Sequence, residues 1–179
     1  MQASKSTMFL NFLKTFSAKR VLKKGSLNVK SEVNDHLIKT VGVILDETYF
    51  NQREALIMEL ATQGIDLQNI KLITYKNRYK KREIPEEPFY TNKHISWLGT
   101  IEKQEVRDFI DTPFDLLISY YDVKKTPLLI VTHHSKAAFK SGFTSADHNL
   151  NHLSIDTSIE QFKVFVEELV KYLRILKKL

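Results

Sequence analysis

Thr40-Val-Gly-Val-Ile-Leu-Asp46 is a short apolar run that ends in an acid, the pattern of a strand buried on both faces of a sheet. Residues 50–63 follow, with Ala55, Leu56, Met58, Leu60 and Ala61 and then Gly64, and read as a helix that stops at a glycine. Ile70-Lys-Leu-Ile-Thr-Tyr75 reads as a second strand. Strand, helix and strand at these lengths make a βαβ unit, whose crossover is right-handed.

Downstream, residues 76–100 break the alternation. Asn77-Arg-Tyr-Lys-Lys-Arg82 is basic, and Pro85 and Pro88 flank two glutamates. This reads as an irregular excursion, functional or mobile, whose tail His94-Ile-Ser-Trp-Leu-Gly99 adds a short strand. Regular structure resumes with a short helix at Glu102–Ile110 and the strongest strand of the chain, Phe114-Asp-Leu-Leu-Ile-Ser-Tyr-Tyr121. Pro127–Ala138 predicts a helix with proline in its first turn, and Phe139–Phe143 and His152–Asp156 predict short strands. Ser158–Lys177 is a long amphipathic helix, with Asp156, Thr157 or Ser158 to cap its start, Glu160 near its positive end and Lys177 and Lys178 near its negative end. The alternation predicts an α/β domain over residues 32–179, with about five strands in a mostly parallel open sheet of flavodoxin-like or Rossmann-like order.

Upstream, residues 1–31 are a basic arm. The chain has 179 residues, 42% hydrophobic and 27% charged, as in one globular domain. Its net charge of +6 is unevenly placed. Lys5, Lys14, Lys19, Arg20, Lys23, Lys24 and Lys30 precede the first acid, Glu32, so the other 20 cations face 21 acids. The body is nearly neutral, and the basic balance describes the arm. Phe9, Phe12, Leu13, Phe16, Val21 and Leu22 recur near helical spacing with lysines between them, and Gly25-Ser26 is a stop. Three partners suit such a helix: a membrane surface, nucleic acid or a protein. The plain alternative is a helix docked on its own domain with its lysines in water. Its composition also resembles an organelle transit peptide, with Lys in place of Arg.

Ligands in open α/β sheets sit at the carboxyl ends of the strands. The candidates there are Asp46, Glu47, Tyr120, Tyr121, Asp122 and Asp156, beside Tyr75, Lys76, Thr144, Ser145, Thr157 and Ser158. Polar residues occupy these ends in every such domain, which is the plainer reading. Neither G-x-G-x-x-G nor G-x-x-x-x-G-K-[ST] is present, and Glu47-Thr-Tyr-Phe-Asn51 offers no glycine for close approach to a pyrophosphate. Asp46, Glu47 and Asp122 resemble in part the acidic pocket of a phospho-receiver domain, which would hold magnesium, but Thr157-Ser158 stands where a receiver needs lysine. His133-His134 cannot chelate from one helix face, and His148 and His152 read as solvated or capping. With no cysteine, disulfides and thiolate chemistry are excluded and a reducing compartment fits. No metal or cofactor is expected, and no apolar run is long enough to cross a bilayer. The partner-binding candidates are Phe9, Phe12, Lys14, Phe16, Lys19, Arg20, Lys23 and Lys24 in the arm, with Arg78, Lys80, Lys81 and Arg82 in a second basic patch whose aromatics suit stacking on nucleic acid.

Phe114–Tyr121, Ser135-Lys-Ala-Ala-Phe-Lys-Ser-Gly-Phe143, the ending Lys171-Tyr-Leu-Arg-Ile-Leu-Lys-Lys-Leu179 and the turn Trp97–Gly99 together resemble a family of small uncharacterised basic bacterial proteins of Bacteroidetes type. That resemblance implies a bacterial, cytoplasmic protein and argues against a transit peptide. Residues 114–143 are also distantly similar to the N-terminal half of heptosyltransferase-like glycosyltransferases, which need a second Rossmann-like domain for the sugar nucleotide. The expectation is a binding or interaction module that contacts a protein, ribonucleoprotein or membrane surface through its arm. The alternative is a small-molecule or nucleotide-sugar site at the strand ends.

Overall fold

The computed structural model, which describes residues 37–77, 88–96 and 99–179, forms the first unit as β1 (Val41–Asp46), α1 (Arg53–Thr62) and β2 (Ile70–Tyr75). Every residue of β1 is buried, as a central parallel strand requires. Gly64 ends α1 at φ +100°. Its N–H donates to Ala61 O and that of Ile65 to Leu60 O, so two orphan carbonyls are capped by a turn that glycine adopts without strain.

The chain continues through β3 (Phe89–Tyr90), α2 (Gln104–Asp111), β4 (Leu116–Tyr120), α3 (Thr126–His134), β5 (Phe139–Phe143), the single turn α4 (Thr144–Asp147), β6 (Leu153–Ile155) and α5 (Phe162–Ile175). All strands pair in parallel, in the order β3-β2-β1-β4-β5-β6, the Rossmann order. Among the described residues the sheet has six strands, close to the expected number of about five. The third is Phe89–Tyr90; at the predicted strand His94–Gly99 stand a 3-10 turn over Asn92–His94 and an isolated antiparallel bridge between Ile95 and Ile101. The last helix starts at Phe162, after the predicted Ser158, without a side-chain cap. Ile159 is buried and its carbonyl accepts from Tyr120 Oη, which holds this stretch outside the helix.

Registered partners in a sheet share a face. Leu45 and Tyr120 face α1 and α5, where Tyr120 packs on Phe50, Phe143 and Phe165 at 4.8–5.2 Å between ring centroids. Asp46, Tyr75 and Tyr90 share the opposite face, which α2 and α3 cover. At the amino edge, Asp115 Oδ2 accepts from Lys39 N, Thr40 N and Thr40 Oγ1, and Ile38 N donates to Lys178 O. The predicted basic helix of residues 1–31 and the patch Arg78–Arg82 lie outside the described residues. Among the described residues no helix is long and apolar enough to cross a membrane.

Candidate functional site

In this strand order the connections leave β1 and β4 in opposite directions, and the crevice between their carboxyl ends is where such sheets bind ligands. Here the chain's own groups fill it. Asp46, 1% exposed, accepts from Thr48 N at 3.0 Å and from Lys125 Nζ at 2.5 Å. Lys125 comes from the loop between β4 and α3, so the pair spans the crevice. Its ammonium lies 4.5 Å from the Tyr49 ring centroid and 5.2 Å from that of Tyr75, which adds cation–π attraction to the ion pair. The turn after β1 places Phe50 in the core against Tyr120. Glu47 binds Lys76 at 2.9 Å and Arg53 at 3.5 Å. Its carboxylate thus stands beside the start of α1, the place a bound phosphate takes in nucleotide-binding sheets.

Behind the ion pair runs a polar row, Tyr90, Tyr75 and Asp46, continued by Tyr121 beyond the end of β4. Tyr75 Oη donates to Asn77 Oδ1 at 2.9 Å, and Tyr121 Oη shares a hydrogen bond of 2.7 Å with Thr132 Oγ1. Burial, and next the charge of Asp46, pushes the Tyr75 phenol up to about 12. Complete burial holds Tyr90 well above the ordinary tyrosine range, with Tyr121, Tyr75 and Asp46 adding to the effect. Burial raises the Tyr121 phenol as well, so all three phenols stay protonated at neutral pH and can donate but not act as bases. Among the described residues the buried hydroxyls of Tyr90 and Thr48 have no hydrogen-bond partner.

The six strand-end residues chosen from sequence therefore have different surroundings. Asp46 and Tyr121 share the row, and Glu47 flanks it in its own ion pairs. Tyr120 faces the other side of the sheet and donates to Ile159 O at 2.6 Å. Asp122 is half-buried in the loop after β4, and Asp156 is exposed beyond β6, three strands from β1. Lys125 and Tyr90 went unselected in the sequence. Nothing local sets Lys125 apart from Lys124, and Tyr90 lies in the excursion.

A second titratable group sits at the amino edge. Lys140, 3% exposed, donates to the carbonyls of Thr132 and His133 at 2.7 and 3.3 Å. It thereby caps the end of α3. Burial pushes its ammonium down to about 8. His152 Nδ1 accepts from Lys140 N at 2.9 Å, and its ring stacks on Phe139 at 5.2 Å. Burial lowers His152 and His133, and Lys140 lowers both further. Of the histidines read as solvated or capping, His133 and His152 are half-buried, His152 taking a backbone N–H, and His134 is exposed. Among the described residues no three His, Asp or Glu gather as metal ligands, so Asp46, Glu47 and Asp122 form no receiver-type pocket.

On the opposite face a groove of about 380 Å³ opens between α1 and β2, lined by Arg53, Glu54, Ile57, Met58, Leu67, Ile70 and Leu72. It is apolar at its floor and charged at one rim.

No curated protein and no solved structure matches the chain. A family model does match, over residues 14–176, and it takes in both the doubly wound sheet and the basic stretch from Lys14 to Lys24. The chain belongs to that family, a family of unknown function (DUF6913).

Proposed function

We propose that the protein is a binding module that contacts an anionic macromolecular surface, on a protein, a ribonucleoprotein or a membrane, through the lysines and arginine of its N-terminal segment. The observation that carries this reading is the filled crevice. Lys125 and Asp46 form an ion pair at the place where a doubly wound sheet takes a nucleotide, and the cations beside the start of α1, Lys76 and Arg53, are already engaged by Glu47. The excess positive charge lies instead in the N-terminal segment, and Lys14, Lys19, Arg20, Lys23 and Lys24 fall within the span shared with the family. A bacterial, cytoplasmic setting belongs to the same proposal.

One observation favours the second reading, a small-molecule or nucleotide-sugar site at the strand ends: the partnerless hydroxyls of Tyr90 and Thr48 beside the polar row. The likeness of residues 114–143 to heptosyltransferase-like enzymes supports it only at the level of fold.

Binding of the full chain to a single-stranded RNA and to anionic phospholipid vesicles, each titrated with salt, separates the two. If four cations neutralise phosphates on the RNA, affinity falls roughly 50-fold between about 50 and 200 mM salt. Changing Lys19, Arg20, Lys23 and Lys24 to Gln abolishes that dependence. Salt-independent or absent binding to both, with a nucleotide sugar raising the unfolding midpoint in an Asp122-dependent way, would establish the second reading instead.

A further inference from the structure

We propose that the groove between α1 and β2 is the seat of the chain's own N-terminal segment, which lays Phe9, Phe12, Leu13 and Phe16 into it and leaves its lysines outward. Parallel sheets bury both faces, yet Ile70 and Leu72 of β2 are only half-buried where they floor the groove. Met58 on its wall is 55% exposed and Leu67 is 44% exposed. Among the described residues the gap lies in the helix layer beside α1, on the side of β2 and β3. In a βαβαβ half that position is filled by the helix of the β2–β3 crossover.

The crossover of this chain is poorly made for the task. Seven of the ten residues 78–87 are charged, and Tyr79 and Ile84 are the only large apolar ones. No apolar stripe of helical period can be drawn through them. Residues 9–16 carry three phenylalanines and a leucine at that period.

The segment has the reach to return to the groove. Val41 pairs with Ile70 at the groove's amino end, and Leu37 is four residues before Val41, so the start of the described chain lies within about 20 Å of the groove. Residues 25–36 extend up to about 40 Å, enough to return a helix to it. The inference does not depend on the partner proposed for those lysines, because it concerns the opposite face of the segment.

The absence of cysteine makes disulfide trapping in the full chain a direct test. Phe12→Cys or Phe16→Cys is paired with Met58→Cys or Leu67→Cys, and separately with Tyr172→Cys on the exposed face of α5. Circular dichroism of each reduced form verifies the fold. Under mild oxidation at low protein concentration, the groove pairs are expected to close within one chain at least about tenfold faster than the α5 pairs, because the docked segment holds its cysteine at high effective concentration. Equal or faster closure onto α5, disulfides only between two chains, or no closure in folded variants would each overturn the proposal.

Discussion

At the scale of the residue, Asp46 governs what the carboxyl edge can do. A carboxylate 1% exposed is tolerated because a backbone N–H and an ammonium satisfy it. Lys125→Met removes the ammonium and leaves a buried charge, so the folded state is expected to lose about 3 kcal/mol in urea unfolding. Asp46→Asn combined with Lys125→Met is expected to lose much less than the sum of the single changes. An additive cycle would show that the two groups do not act as a pair. Asp46 was visible in the sequence as an acid at a strand end. Its partner, 79 residues away, was not, since a long-range ion pair leaves no local pattern.

At the scale of the element, α3 shows how a helix end can be satisfied from a neighbouring strand. The sequence predicts this helix to run to Ala138, but it stops at His134, where Lys140 of β5 takes the last carbonyls. Below about pH 8 both the folded and unfolded chains keep the Lys140 proton, and the folded chain bears the full cost of burying it. Between about 8 and 10.5 only the unfolded chain keeps it, so stability rises with pH by up to about 1.4 kcal/mol per unit. Lys140→Met is expected to delete this rise. The difference between wild-type and variant unfolding free energies over about pH 7.5 to 9.5 reads it directly, and a flat difference would mean that the two carbonyls keep the ammonium charged.

At the scale of the whole molecule, the chain's entry and exit meet at the amino edge. Asp115 fixes residues 39–40, and Lys178 O receives Ile38 N. This junction fixes the backbone at residues 38–40 against the domain. Asp115→Ala is expected to cost about 1–2 kcal/mol through the lost acceptor and to speed amide exchange at Lys39 and Thr40. Unchanged exchange there would show that neighbouring packing alone holds the entry. The sequence by itself determined the α/β class, the parallel strands and the glycine stop of α1, because double-sided burial and helix termination are written in runs of a few residues. Only the tertiary structure decided the sixth strand, the Rossmann order and the filling of the crevice. Phe89–Tyr90 is too short to have a period, and strand order depends on which crossover packs on which face. Lys125 differs from Lys124 only in what the fold places opposite it.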